Sequence, residues 1–566
     1  FFVLILMIFS GLLESVSIIS VVPFLSIITG QRELGWFSFL ERIYPNLEDQ
    51  SKMILVSIFF IFVIIFSAII RLINLKLTTK VAASIGHDIS KKAMEIILYQ
   101  PYIEHIKRNS SEIIETLTTE VGLTVTVIYY ALSLLSSIIL SFSLYLTIFL
   151  INWKLSLTST FLFLSCYLML AVLVKPRLRK ISYKNAFLRE RKVNIIQESL
   201  GGMRSVIINN LQPYYIKTYN LNDLQLRNLI AESDFLGNYP RYVIEVIGVI
   251  FLVFISFLLG VHKNNDPNTI ALIGTFALAS QKILPSIQNI YLKWAVINTC
   301  SKAVRNVLNI LSKPYKKNNV LSNHKRRINF KTIEFCNVDF KYDESQKFSL
   351  SNINLSIEKG SIIGICGKTG SGKSTLIDLF MGLLKPTKGS IKINGKNINS
   401  NNNFNYLTKW QASISSVPQD IFLADATIAQ NIVEGSNINK IDYTKLKSCV
   451  ERSKLKDYIT SLNKGFETFV GERGIRLSGG QKQRIGIARA LYKGSSIIVL
   501  DEATSALDYE TEREIMDSIY SLRGDITIII IAHRLSTLRK CNNIISLENG
   551  KIKEIHTPKN SPELFS

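Results

Sequence analysis

The chain has 566 residues, 47 % of them hydrophobic and 19 % charged, with a net charge of +23 and a mean hydropathy of +0.23. That length allows several domains, and that apolar content with a positive hydropathy fits a membrane domain joined to a soluble one. Six cysteines (Cys166, Cys300, Cys336, Cys366, Cys449 and Cys541) show no C-x-x-C spacing, so reduced thiols are expected rather than a zinc site or a disulfide framework.

Apolar runs near Phe1–Ile28, Met53–Ile70, Val125–Ile151, Leu155–Val174, Val243–Val261 and Thr269–Val296 approach or exceed the ~20 residues that cross a bilayer as helix. They predict six spans. The chain opens on Phe1 rather than Met and shows no secretory cleavage site. The expectation is a start further upstream, with any amphipathic segment ahead of the first span lying there.

Loop charges orient the spans. Arg71, Lys76, Lys80, Lys91, Lys92, Lys107 and Arg108 lie between spans two and three, and Lys175, Arg177, Arg179, Lys180, Lys184, Arg189, Arg191 and Lys192 between spans four and five. The alternate loops, 31–52, 152–154 and 262–267, are shorter and far less basic. The positive-inside rule puts the two long loops and both termini in the cytosol. Both loops read as helical, so spans two to five are expected to continue past the membrane. Much of the basic excess then lies beside anionic lipid, where each cation gains about 1 kcal/mol, and a nucleic-acid partner is rejected. Within these loops Pro101-Tyr-Ile-Glu-His105 and Gln212-Pro-Tyr-Tyr-Ile216 each combine Pro with aromatics, which suits a bend followed by a packed knob. The alternative is an ordinary turn between helices.

Charges in or beside the spans are costly and tend to be functional. Arg71 lies ~28 Å of helix below Lys52, and Arg241 a similar distance below His262, at 1.5 Å per residue. Lys282 lies deeper, one turn before Pro285, and Glu14 is buried in span one. Three cations on spans two, five and six suit an anionic headgroup entering from the inner leaflet. The competing reading is snorkelling at helix ends. In the first external loop, Trp36–Tyr44 carries apolar residues at 36, 37, 40, 43 and 44. It reads either as a short helix lying on the outer surface or as an aromatic interfacial anchor.

Polar, basic residues at 312–329 read as a linker, and the Asn-rich stretch 394–405 as a surface loop. The resulting division is a membrane domain at 1–312, a linker at 313–329, a nucleotide-binding domain at 330–557 and a tail at 558–566. High Asn, Lys and Ile usage looks like the coding bias of an AT-rich bacterium.

The second half carries the chemistry. Gly367-Lys-Thr-Gly-Ser-Gly-Lys-Ser-Thr375 follows an apolar run, 361–366, and opens a helical one, 376–380. That strand–loop–helix context marks a phosphate-binding loop: backbone N–H groups of Gly367, Lys368, Thr369, Gly370, Ser371 and Gly372 wrap phosphates at a helix N-terminus. Lys373 is spaced to reach the terminal phosphates and Ser374 to hold Mg²⁺. Downstream, Ile497-Ile-Val-Leu-Asp501-Glu502 reads as a buried strand delivering Asp501 to the metal, with Glu502 beside it as general base or water-orienting group.

With Val417-Pro-Gln419, Leu477-Ser-Gly-Gly-Gln481, Ser505-Ala-Leu-Asp508 and His533 added in this order, residues 328–551 resemble the ATP-binding-cassette family. The resemblance implies that Tyr342 stacks on adenine, a contact worth ~1–3 kcal/mol, and that His533 contacts the γ-phosphate. It further implies that Gln419 approaches Mg²⁺ and the attacking water. Ser478, Gly479, Gly480 and Gln481 would close on ATP held by a second cassette. A dimer with two sandwiched ATP molecules follows, either of two identical chains or with a related half. Val470-Gly-Glu-Arg-Gly474 and the long cytosolic loops resemble the exporters of this family, whose loop tips dock on the cassettes.

The expected fold is a six-span α-helical exporter domain fused to an α/β phosphate-loop domain, in the bacterial inner membrane. The membrane half resembles flippases of polyprenyl-pyrophosphate-linked oligosaccharides in Leu13-Glu-Ser, Val22-Pro-Phe24, the external helix, Arg71, Pro240-Arg241 and Lys282, although that family has arginine where Lys282 stands. A generic exporter of drugs, lipids or peptides is the alternative cargo reading. An ATP-gated channel is the alternative class, disfavoured because Glu502 and His533 are both kept.

Overall fold

The computed structural model describes residues 2–20, 49–151, 153–262, 284–315, 327–343, 348–399, 404–435, 441–503, 508–524, 526–532 and 535–557. Lys282, His533, Ser505–Leu507, the Trp36–Tyr44 segment and Val22–Phe24 lie outside them. The chain forms two compact units, one of residues 1–100 and 108–315, the other of residues 101–107 and 316–566.

The first unit is helical. Its long helices span Asp49–Leu98, Val121–Ile151, Trp153–Gly201 and Gln212–His262, with Phe2–Ile19 before them and residues 284–299 and Ser301–Leu311 after. At 1.5 Å per residue, a helix of 50 residues runs about 75 Å against ~30 Å of hydrocarbon. These helices therefore continue well beyond a membrane, as their basic cytosolic-side sequences predict. Among the described residues, three stretches are long and apolar enough to cross: Ser57–Leu98, Ser110–Thr147 and Ser156–Gly201. Close helix contact depends on small residues. A Cβ at Gly86 would lie 2.4 Å from Val125 Cγ2, so the glycine lets helices 49–98 and 121–151 approach. Helices 153–201, 212–262 and 284–299 meet around buried Phe163, Tyr167, Leu178, Ile244 and Tyr291.

The helix starting at Ser110 is not regular throughout. Thr116–Glu120 forms a π turn between α-helical Ser110–Glu115 and Val121–Ile151. Nothing in the hydrophobic period announces it.

The second unit holds two sheets. Strands β1 (Thr332–Phe340), β2 (Leu350–Glu358), β4 (Lys388–Ile393) and β5 (Lys396–Asn397) pair antiparallel in the order β2-β1-β4-β5. The larger sheet contains β3 (Ile362–Cys366), β6 (Ile414–Val417), β7 (Ile497–Asp501), β8 (Thr527–Ile531), β9 (Asn543–Glu548) and β10 (Lys551–His556). Its order is β10-β9-β3-β8-β7-β6. All its pairings are parallel except β9 with β10. Parallel strands covered on both faces must be apolar throughout, which is why β7 and β8 read Ile-Ile-Val-Leu and Thr-Ile-Ile-Ile-Ile. Between the sheets, Phe330, Phe380 and Trp410 are buried edge to face, and the Trp410 indole N–H donates to the Phe380 carbonyl at 2.8 Å. Ile103, from the first loop tip, packs on this same core, and Lys107 pairs with Asp343 at 2.6 Å.

Candidate functional site

The phosphate loop sits where the sequence puts it, between β3 and a helix spanning Lys373–Phe380. Gly367 and Gly372 take φ of +149° and +100°, which favours glycine. A Cβ at Gly367 would lie 2.4 Å from the Leu547 carbonyl oxygen, so the loop lies tight against β9. The Lys373 ammonium reaches back over the loop and donates to the carbonyls of Gly367 at 2.8 Å and Lys368 at 3.0 Å. Those bonds hold the amine at the mouth of the loop.

A cleft of about 670 Å³ opens there. Thr369, Gly370, Lys373, Ser374 and Thr375 line it together with Gln419, Asp501 and Glu502. Four buried residues of β7 deliver Asp501. Glu502 follows with φ of +49°, a left-handed conformation that costs a non-glycine residue energy and clusters at functional sites. Its backbone N–H donates to Ile531 O at 3.1 Å, and its carboxylate accepts from Gln419 Nε2 at 2.9 Å. The two groups assigned to the attacking water are thus in contact. Lys373 and Ser374 fit a Mg²⁺–triphosphate group in donor type: an ammonium for phosphate, with a hydroxyl and the Asp501 carboxylate for the metal.

Tyr342 stands beside the loop, its hydroxyl 3.1 Å from Thr375 Oγ1 and its ring edge-on to Phe340. Phe348, Asn549 and Gly550 also line the cleft; sequence reasoning missed them because no spacing links them to the loop. Ser478–Gln481 do not line it. Ser478 caps the helix Gly479–Lys493, accepting from Gln481 N at 3.2 Å, while Gln481 Oε1 accepts from Ser478 N at 2.8 Å. That reciprocal pair is a capping box and leaves the N-terminal amides of Gly479 and Gly480 at the helix end.

Across the helix from the cleft lies a second space of about 590 Å³, lined by Tyr102, Asp378, Gln411, Lys493 and Asp501 among others. Burial and the neighbouring Asp501 carboxylate push the Asp378 carboxyl up to about 6. Tyr102 comes from the first loop tip, so the tip reaches the rear of the phosphate-loop helix. At the second tip, Tyr214 and Ile216 are 63 % and 67 % exposed.

In the membrane unit, a chamber of about 600 Å³ is lined by Arg71, Lys293, Asn74, Asn289, Thr78 and Tyr129, with four serines and apolar groups between them. Among the described residues, no carboxylate lines it. Glu14 borders it, accepting from Ser67 Oγ at 2.8 Å and pairing with Arg71 at 3.7 Å. Lys293 donates to Ser133 O at 3.0 Å and Ser137 Oγ at 2.6 Å. Of the three cations singled out in the sequence, Arg71 lines this chamber, Arg241 is exposed and does not, and Lys282 lies outside the described residues. Lys293 was missed although it falls inside the last apolar run, Thr269–Val296, because nothing in the run itself says which neighbours its ammonium meets.

The family model of the ABC transporter transmembrane region matches residues 1–281, and the ABC transporter model matches residues 350–505. The chain is 31 % identical over 449 residues to the heterocyst differentiation ATP-binding protein HepA of Nostoc sp., covering 79 % of this chain and 72 % of that one. It is 29 % identical over 445 residues to an ATP-dependent lipid A-core flippase of Burkholderia pseudomallei, covering 78 % and 72 %. A bacterial Atm1-family ABC exporter solved with ATP bound shares the fold, with a TM-score of 0.82 at 21 % identity over 99 % of this chain and 95 % of that one. On these matches and the motifs assembled in the cleft, the chain belongs to the ATP-binding-cassette transporter family, as a membrane-spanning half-transporter whose cassette is an ATPase coupled to translocation.

Proposed function

We propose that two copies of this chain form a flippase that moves a phosphorylated glycolipid, of the polyprenyl-pyrophosphate-linked oligosaccharide type, across the bacterial inner membrane. The observation that carries the reading is the chamber holding Arg71 and Lys293. Two cations, two carboxamides and a set of hydroxyls, with no carboxylate among the described lining residues, match a headgroup that is both anionic and rich in hydroxyls. A purely apolar drug would desolvate those groups without offering them any polar contact of its own, at a cost.

In the cycle, Lys373 and the loop amides hold the triphosphate of ATP. Ser374 and Asp501 would hold Mg²⁺, which would supply positive charge against the phosphate oxygens. Glu502, oriented by Gln419, positions the water that attacks, and His533 contacts the γ-phosphate. Ser478, Gly479 and Gly480 of each copy face the ATP of the other. The tip residues Tyr102, Ile103 and Lys107 carry cassette movement into helices 49–98 and 110–151. To swing a population from 1:99 to 99:1, ATP must favour the closed state by about 5.5 kcal/mol. A second reading, a lipid A-type glycolipid, is favoured by the relatives named lipid A-core flippases.

The test is flipping in proteoliposomes with labelled polyprenyl-pyrophosphate oligosaccharide, lipid A-core and neutral phospholipid. Movement of the pyrophosphate lipid alone is expected. Movement of lipid A-core alone selects the second reading, and equal movement of the neutral lipid rejects both.

A further inference from the structure

The π turn at Thr116–Glu120 lies where four helices meet. It begins nine residues past the end of the docked tip, Pro101–Lys107, and packs on Ser301–Leu311, which leads out of the membrane unit. A π turn adds a residue to a helical turn, is costly, and persists mostly at functional positions. Its two ends carry Glu115 and Glu120, which are 3 % and 2 % exposed.

Only one of these acids is satisfied. Glu120 Oε1 accepts from Asn306 Nδ2 at 2.5 Å, and Oε2 accepts from Thr116 Oγ1 at 3.0 Å. Glu115 Oε1 is buried with no hydrogen-bond partner among the described residues. The charges around the pair are Arg189 and Glu190 on helix 153–201 and Lys302 on helix 301–311. Helix 49–98 contributes the apolar Ala93, Ile96 and Ile97 to the adjoining cluster with Ile113, Leu117 and Ile310. One turn before Arg189, Asn185 is 2 % exposed and its Oδ1 also lacks a partner.

An isolated carboxylate cannot be buried without paired charge or several donors, and two buried carboxylates this close do not both ionise. Glu120 has the donors that an anion needs. Glu115 does not, and it lies in a region already short of donors. We propose that Glu115 and Glu120 form a proton-binding site. One proton resides on Glu115 at neutral pH, where its O–H supplies a donor, and its release to solvent loosens the joint between helix 110–151 and helices 153–201 and 301–311. This joint lies on the path from the tip to the spans, so proton release weakens the coupling of ATP hydrolysis to transport. The proposal is independent of the cargo.

The test uses the full-length dimer in lipid nanodiscs, with parent, Glu115→Gln and Glu120→Gln compared from pH 6 to pH 9.5. Infrared difference spectra at neutral pH should show a protonated-carboxyl band that Glu115→Gln removes. Hydrogen exchange at 110–122 and 301–308, corrected for intrinsic rates, should accelerate with pH in the parent and stay flat in Glu115→Gln. Glu120→Gln, which removes the repulsion, should move the midpoint of that acceleration down by about one pH unit or more. The proposal is overturned if Glu115→Gln leaves the carboxyl band in place, or if its exchange profile superimposes on the parent's. A tightly held metal cation that Glu115→Gln releases would also overturn it. Should Glu115→Gln fail to fold, an unmoved midpoint in Glu120→Gln is sufficient refutation.

Discussion

Asp378 sets a cost on the cassette that can be removed by one substitution. Its carboxyl lies behind the phosphate-loop helix, and burial together with Asp501 raises it from an ordinary 3.8 to about 6. The folded state therefore binds a proton more tightly than the unfolded chain. Stability is full below about pH 4, falls as pH rises from 3.8 towards 6, and is level above that. Two pH units at ~1.36 kcal/mol each give about 3 kcal/mol. Partial exposure screens part of this, leaving about 1–2 kcal/mol. Asp378→Asn keeps the shape and removes the charge. It should stabilise the cassette by that amount at pH 7 and by only about a third as much at pH 4.5, a rise of roughly 2–8 °C in its unfolding temperature at the higher pH. The measurement is thermal unfolding of the full-length protein without Mg²⁺ or nucleotide, because a cation at Asp501 would relieve the repulsion. An equal shift at both pH values, or a drop at pH 7, would refute the assigned cause.

Further outcomes follow from the same geometry. Glu502→Gln should retain ATP binding and lose most hydrolysis, trapping a closed dimer; hydrolysis near the parent rate removes Glu502 from the role of base. Replacing Arg71, Arg241 and Lys282 together by Ala should stop movement of the pyrophosphate lipid per folded dimer while sparing basal ATPase, and Lys293→Ala should weaken it alone. Transport that persists in both variants returns the cargo to the generic-exporter reading. Trp410→Ala should destabilise the cassette by about 3–5 kcal/mol, read by denaturant unfolding, since it empties a site closed by Phe330 and Phe380 and orphans the Phe380 carbonyl.

The cassette was legible because its chemistry is local. A phosphate loop needs a strand, a glycine turn and a helix in immediate succession, so Ile362–Phe380 could be read directly, and Ser478-x-x-Gln481 announces its own cap. Pro101–His105 was likewise visible as a bend carrying aromatics. What stayed hidden depends on helices far apart in sequence. Lys293 becomes a chamber wall only when helices 2–19, 49–98 and 121–151 pack around it. Glu115 and Glu120 drew no notice in the sequence, since neither Ser-Ser-Glu-Ile-Ile-Glu115 nor Thr-Thr-Glu120 carries a sign that other helices cover them. The π turn between them has no sequence signal, because one inserted residue leaves the apolar run beyond it intact.

The grouping of Pro101–Lys107 with the cassette bears on how the molecule is made. A ribosome releases this tip roughly two hundred residues before the rest of its unit, and at 5–20 residues per second that is a wait of about 10–40 s. Throughout that interval Ile103 and Tyr102 are exposed to the cytosol with no surface to cover them. The cassette core, once synthesised, is likewise unfinished until the earlier segment finds it. Assembly of this unit is therefore a late, long-range closure rather than a local one, and the cassette made alone from Lys316 onward should fold slowly and aggregate through the uncovered patch against Ile103's partners.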